Sequence, residues 1–208
     1  PAGKLSGTKD RRTLFNSLEL DYRPMRPTIT QLMTEPVYKK LKGVRMKGEF
    51  TLKGHKEKGE LLFTDYGISG IAVMVLSRYA CPGDKIICDF YPEFTDQELH
   101  SIIRTLKTMN GPYDGLVHPK LVPIVENQKN PVSFLKHLEF TVKTLRGEEF
   151  AQADCGGLMI SNFDKSFEFI NYPHLYATGE ILDITGDCGG YNLEWAWTTG
   201  MIAGNSIS

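Results

Sequence analysis

The sequence predicts an α+β fold for its 208 residues, on three observations. Apolar and charged residues alternate with period two in stretches between Thr28 and about Leu76, the pattern of half-buried strands. A capping box at Thr95 opens one long amphipathic helix. In the last quarter, a short apolar run passes through a glycine-rich loop into a helix with small residues on one face. With 41% hydrophobic residues the chain has enough apolar surface for a real core, and its length allows one or two domains.

Residues 1–28 are polar and broken by Gly3, Gly7, Pro24 and Pro27; only Leu14, Phe15, Leu18 and Leu20 have helical apolar spacing, so the stretch reads as a connector. Strands are expected at 28–33, 43–52 and 59–66. In the second, Val44, Met46, Phe50 and Leu52 alternate with Arg45, Lys47, Glu49 and Lys53 across Gly48. The polar tract 54–59 is expected to be the hairpin loop between the second and third strands. At Gly67-Ile68-Ser69-Gly70 the chain turns, with Ser69 expected to cap a short helix through Ile71, Val75 and Tyr79. Pro82-Gly83-Asp84 is a turn before another strand at 85–90.

The box Thr95-Asp96-Gln97-Glu98 precedes Leu99, Ile102, Ile103, Leu106 and Met109 at helical spacing, and Asn110-Gly111 ends that run. Shorter helices are expected at 119–126 and 131–137, then strand alternation from Glu139 to Leu145. The simplest picture of 28–146 is a β-rich module interrupted by a small helical cluster. Beyond it, 176–181 reads as a short strand, Gly186, Gly189 and Gly190 as a loop, and the chain from Tyr191 or Asn192 as a helix. Ala196, Gly200, Ala203 and Gly204 give that helix a face able to approach a backbone or a flat ligand closely. No internal repeat or low-complexity segment is present.

Lysine and arginine number 24 against 25 acidic residues, a net charge of −1, so there is no basic footprint for nucleic acid or an anionic membrane, and neither is an expected partner. Cys81, Cys88, Cys155 and Cys188 lack C-x-x-C spacing and read as reduced thiols. His55, His100, His118, His137 and His174 are scattered, so no metal site is expected. No apolar run approaches a membrane span, and the first residues lack a signal-peptide core, which predicts a cytoplasmic protein.

The start of the last helix offers free N–H groups and a positive dipole end, suited to electron-rich oxygen, and the loop glycines leave room for it. On the residues alone, a closely packed αβ connection explains the same pattern. Gly67 to Gly70 reads either as an anion site at a helix start or as a structural turn. The basic cluster Lys39, Lys40, Lys42, Arg45 and Lys47 reads as a solvated strand edge.

The run from Tyr176 to Trp197, containing Gly179-Glu180-Ile181-Leu182-Asp183 and Gly189-Gly190-Tyr191-Asn192, resembles the C-terminal FAD motif of bacterial NAD(P)/FAD-dependent oxidoreductases of the aminoacetone-oxidase-like flavoprotein family. The resemblance continues at 41–45, 59–71, 76–78 and 151–157, in the family's order. It implies a glutathione-reductase-like FAD domain interrupted by an inserted β-barrel that carries a small helical bundle. Residues 1–28 would then be a connector from the first half of the FAD domain. Residues 29–148 would be the insert, with its helical cluster at about 95–137, and 149–208 the C-terminal segment of the FAD domain. By the same resemblance, Gly179 and Glu180 meet the ribityl-pyrophosphate region, with Asp183 just beyond. Gly189, Gly190, Tyr191 and Asn192 face the isoalloxazine ring, and Gln152, Gly156 and Gly157 line its substrate side. No catalytic residue is implied. Cys155 and Cys188 sit beside glycine pairs near this proposed flavin, where either thiol–flavin chemistry or simple packing in tight loops accounts for them.

The chain departs from the family in having no G-x-G-x-x-G after a first strand. The adenosine half of the FAD site is therefore expected to be missing, and the chain is read as a fragment. The expected partners are the missing N-terminal half or a complementing chain, a small-molecule substrate, and a second copy in a homo-oligomer. FAD is the expected cofactor, and no motif supports NAD(P). Two functions fit. One is part of a FAD-dependent oxidoreductase, contributing the substrate-cap module and the flavin-ring side of the site. The other is a non-catalytic cap or protein-interaction module that does not bind FAD by itself.

Overall fold

The computed structural model describes residues 15–16, 18–109, 111, 113–187 and 189–207. It has mixed α/β architecture in two compact units, one of Gln31–Leu145 and one of Pro1–Thr30 with Arg146–Ser208.

The Gln31–Leu145 unit is a closed antiparallel barrel. Its strands are β2 (Leu32–Glu35), β3 (Arg45–Leu52), β4 (His55–Phe63), β5 (Gly67–Ser69), β6 (Lys85–Asp89) and β7 (Leu138–Leu145), in the order β2-β5-β4-β3-β6-β7. The alternation read in β3 is realised: Met46, Phe50 and Leu52 are buried while Arg45 and Lys47 face solvent. Gly48 holds an inward position where a Cβ would overlap the Asp89 carbonyl oxygen, which explains the break in the apolar pattern. Phe50, Leu61, Phe63, Ile68, Ile86 and Phe140 fill the barrel, and the Tyr38 ring meets Phe63, Phe134 and Phe140 edge-on.

Four local expectations are corrected in this unit. The hairpin loop is not 54–59 but the pair Lys53-Gly54, both at positive φ (50° and 82°), with Leu52 opposite His55. That geometry matches the strand twist, and the charged stretch after it is strand, with Lys56 reaching Glu49 at 2.8 Å. Gly67 to Ser69 is a buried strand rather than a turn. The short helix α1 (Ile71–Leu76) takes Gly70, at φ 104°, as its N-cap, and Ser69 does not cap it. At Gly70 a side chain would overlap the Glu60 carbonyl oxygen. Of the basic cluster read as a solvated strand edge, Lys39 and Lys40 lie in the 3-10 turn Lys39–Leu41, while Arg45 and Lys47 are exposed on β3. The strand expected at 28–33 is broken between Thr28 and Leu32, where the chain passes from one unit to the other and Ile29 takes φ 48°.

Between β6 and β7 lies the helical cluster: α2 (Asp96–Met109), α3 (Val122–Glu126) and α4 (Pro131–Lys136). The capping box forms as read, with Thr95 N–H donating to Glu98 Oε2 at 2.8 Å and Glu98 N–H to Thr95 Oγ1 at 3.2 Å. Leu99, Leu121, Val125 and Leu135 are its buried centre. Lys136, 5% exposed, ends α4 and donates to both carboxylate oxygens of Asp89 and to the Tyr91 carbonyl, tying the cluster to the barrel.

In the other unit, β1 (Tyr22–Thr28) lies within the stretch read as a connector and pairs antiparallel with β8 (Ala153–Leu158). The strands β9 (Glu168–Phe169) and β10 (Tyr172–Tyr176) form a hairpin. The expected strand at 176–181 is not formed: β10 ends at Tyr176 and Gly179–Ile181 is a 3-10 turn, after which Leu182 makes a parallel bridge to Leu158. Phe15, Leu158, Phe163, Phe169 and Leu182 form this unit's core. Helix α5 (Tyr191–Ser206) follows, starting where the sequence placed it. Among the described residues, no helix is long and apolar enough to cross a membrane.

Candidate cofactor site

The glycine-rich passage becomes a cleft of about 630 Å³. Its floor is the turn Gly179–Ile181, one wall is the head of α5, and Ile29 and Gln152 also line it. Five of the seven residues singled out from sequence line it together: Gly179, Glu180, Gly189, Gly190 and Asn192. Gln152 lines it as well. Asp183 does not, because its carboxylate pairs with Arg23 at 3.1 Å and its N–H donates to the Leu158 carbonyl at 2.8 Å. Nor does Tyr191, which is 58% exposed. The lining face of α5 runs through Asn192, Leu193 and Ala196, and Tyr191 lies about a quarter turn off it.

The two glycines at the helix head are required by backbone shape, not by crowding. Gly189 has φ 125° and Gly190 φ 103°, and a Cβ at either would meet no atom within 4 Å. This leaves an open cradle at the head of a 16-residue helix, whose first N–H groups have no acceptor within the helix itself. Asn192 Oδ1 accepts from Gly186 N–H at 2.7 Å and so fixes the loop to the helix. The positive end of the helix dipole adds a preference for electron-rich atoms there.

The floor is fixed just as firmly. Gly179 has φ 73°, and a Cβ on it would sit 3.2 Å from that of Ala196, so the turn lies directly on α5. Gly179 N–H donates to the buried Thr199 hydroxyl at 2.9 Å, Thr199 donates on to the Trp195 carbonyl at 2.7 Å, and Trp195 Nε1 donates back to the Gly179 carbonyl at 3.2 Å. Ile29 is a β-branched residue in the left-handed region, a strained conformation, and its carbonyl accepts from Gln152 N–H at 3.2 Å. The small-residue face of α5 is used only in part. Ala196 and Ala203 pack closely, but Gly200 and Gly204 have open space where a Cβ would stand.

Sequence reasoning missed Thr199, Ile29, Ile181 and Leu193. The spacing Asn192, Leu193, Ala196 was a readable sign of one helix face, whereas Ile29 is far away in sequence and carries no local signal. Gly156 and Gly157 lie outside the cleft lining. Side chains there would overlap the Pro24 and Ile181 carbonyl oxygens, so these glycines permit close backbone approach in β8. Cys155 is half-buried with Arg26 Nε donating to its sulfur at 3.0 Å, and Cys188 lies outside the described residues. Among the described residues, no group of three or more His, Cys, Asp or Glu is placed to hold a metal ion.

The cleft lining combines the glycine backbone and the head of α5 with apolar Ile29, Ile181, Leu193 and Ala196. Residues 29–206 match the family described as HI0933-like protein Rossmann domain. A 3-dehydro-bile acid delta(4,6)-reductase of Clostridium scindens is 30% identical over an alignment that covers 94% of this chain and 56% of the relative. A ribosomal RNA dihydrouridine synthase of Haemophilus influenzae is 31% identical, covering 76% of this chain and 44% of that protein. The enzyme of the same name in Escherichia coli is 26% identical, covering 67% of this chain and 40% of its own length. The chain thus spans about half the length of the curated relatives it matches. A match running from before the barrel to the end of α5 places both units in one lineage, and the chain belongs to the HI0933-like Rossmann-domain family of the FAD-dependent oxidoreductase superfamily.

Proposed function

We propose that this chain supplies the flavin-ring side of the FAD site of an oxidoreductase, with the barrel unit as the inserted module of a glutathione-reductase-like FAD domain. The observation that carries the reading is the meeting of Gly179, Glu180, Gly189, Gly190 and Asn192 in one cleft at the head of α5. Bound flavin would supply hydride-transfer chemistry to a small-molecule substrate. The chain's own part is to present helix-head N–H groups to the ring, to hold the floor against α5 through Thr199, and to exclude water with Ile29 and Ile181.

In the same reading, the adenosine end of FAD is held by a complementing polypeptide segment. Two features support this: the sequence contains no G-x-G-x-x-G, and α5 carries an exposed apolar flank of Leu193, Trp197 and Met201 at 69%, 74% and 60% exposure. A helix apolar on nearly every side normally belongs inside a larger core.

FMN and FAD share the ring end and differ at the adenosine end, so titrating both into the purified chain, followed by flavin fluorescence, tests both clauses. The expected result is weak, saturable binding with FMN and FAD affinities within about threefold, lost in Gly190→Val because a β-branched residue resists φ 103°. Absence of saturable binding by either flavin overturns the ring-side assignment. FAD binding more than about tenfold tighter than FMN overturns the need for a complementing segment.

A further inference from the structure

A second cleft, of about 730 Å³, lies in the helical cluster of the barrel unit and has no part in the flavin reading. Its apolar floor is formed by Ile103 of α2 and Val132 of α4. Its lining carries Arg104 and Lys107 on α2 and Lys129 from the loop before α4. Each of these three cations is exposed, and none pairs with a carboxylate among the described residues. His100 belongs to the same lining, and Glu126 is the one carboxylate among the described lining residues.

Tyr113 gives the cleft its direction. It is only 5% exposed, it lines the cleft, and its hydroxyl makes no hydrogen bond among the described residues. The ring is packed away while the hydroxyl, not itself sealed from solvent, is left for a molecule in the cleft. Burial, with the nearby negative charge of Glu126 as a lesser cause, holds its proton on more firmly than usual, so it stands as a donor. A donor and three cations around an apolar floor are complementary to a molecule with an anionic head and a hydrophobic body. With Glu126 in the same lining, the fixed charge is two positive at neutral pH, which suits a single carboxylate better than a polyanion.

We propose that this cleft is a binding site for an amphiphilic carboxylate. The head lies among Arg104, Lys107, Lys129 and the Tyr113 hydroxyl, and the hydrocarbon body on Ile103 and Val132. The site is separate from the flavin reading, and the two stand or fall independently.

Pyrenebutyrate serves as a fluorescent probe, with pyrenebutanol as its uncharged analogue, titrated into the full chain. Saturable one-to-one binding of pyrenebutyrate is expected, with pyrenebutanol at least about tenfold weaker. Single substitutions Arg104→Ala, Lys107→Ala and Lys129→Ala each weaken the probe about two- to fivefold, and the first two together about tenfold. All three residues are exposed, and alanine is compatible with the helix of α2, so the fold is retained. Tyr113→Phe keeps the ring and weakens pyrenebutyrate but not pyrenebutanol, a selectivity that a purely structural role for Tyr113 would not produce. Glu126→Gln tightens the carboxylate probe. Equal affinity for acid and alcohol, indifference to the cation substitutions, or binding that never saturates overturns the proposal. A short RNA that displaces the probe at lower concentration than pyrenebutyrate itself overturns the carboxylate assignment in favour of a polyanion.

Discussion

The buried contact between Lys136 and Asp89 makes a quantitative prediction about how the helical cluster is held to the barrel. Lys136 Nζ lies 3.1 and 2.8 Å from the two Asp89 oxygens and 2.7 Å from the Tyr91 carbonyl, so all three of its donors are used. The Asp89 carboxylate is 26% exposed and also accepts from Tyr91 N–H at 2.9 Å. Lys136→Met keeps most of the volume and the apolar stem but leaves Asp89 with one protein donor and a partial view of solvent. Stranding a fully buried charge costs about 3–5 kcal/mol, and the access of Asp89 to water brings the expected loss down to about 2–3 kcal/mol. Asp89→Asn in the same background removes the stranded charge, so the double variant should be less destabilised than the sum of the singles by about 1–2 kcal/mol. Both tryptophans, Trp195 and Trp197, lie in the other unit, so barrel unfolding in urea is best followed by far-UV circular dichroism and tyrosine absorbance. A Lys136→Met loss below about 0.5 kcal/mol, or additivity of the two substitutions within that margin, refutes the reasoning.

The hydroxyl of Thr199 accepts the buried N–H of Gly179, so Thr199→Val should cost about 1–2 kcal/mol, lowering the urea midpoint read by tryptophan fluorescence and weakening flavin retention. An unchanged midpoint would show that the turn does not depend on that bond. Tyr91 donates its hydroxyl to the Leu116 carbonyl, and burial first, with Glu93 second, pushes its pKa up to about 12. A raised folded-state value stabilises the fold fully below the unfolded pKa near 10, and that contribution is lost as pH rises toward 12. Denaturant midpoints measured from pH 9 to 12 should therefore fall less steeply in Tyr91→Phe than in the parent; parallel curves would contradict the assignment. The flavin titration with Gly190→Val and the pyrenebutyrate titration complete the set.

The strands of the barrel were legible where one face of a strand is buried. In β3 the residues on the core side alternate with charged ones, so its buried face could be read from Met46, Phe50 and Leu52. The helix opening at Thr95 was equally plain, because a capping box is a local chemical device that neighbouring elements do not change. The turns were harder. Charged residues from His55 to Lys58 look like loop in sequence, yet on a solvent-facing strand they are consistent with strand, and Lys56 finds its partner on Glu49 across the ladder. Ser69 looked like a cap because serine usually is one; the backbone instead needed a residue without a side chain against Glu60, which selected Gly70 for the position. Local preference lost to a tertiary close approach in that case.

The candidate site shows the same division at a finer scale. Its motif was readable because Gly179, Glu180, Gly189, Gly190 and Asn192 lie within one short stretch of chain, and the structure explains what that stretch encodes. Gly189 and Gly190 stand in open space, so crowding does not demand glycine there; positive φ does. The motif therefore specifies a backbone path that delivers the chain to the head of α5. Gly179 is constrained differently, by Ala196 on one side and by the Thr199 hydroxyl on the other, so the floor of the cleft and the helix behind it form one hydrogen-bonded piece. Asp183 looked like part of the same site only because it is adjacent in sequence. Its pairing with Arg23 of β1 gives it a structural task that no local pattern announces. Ile29 and Gln152 reach the cleft through the pairing of β1 with β8, contacts more than a hundred residues apart in the chain. A glycine-rich motif can thus reveal one wall of a site. The rest of its lining becomes visible only when the strands beside it have been paired.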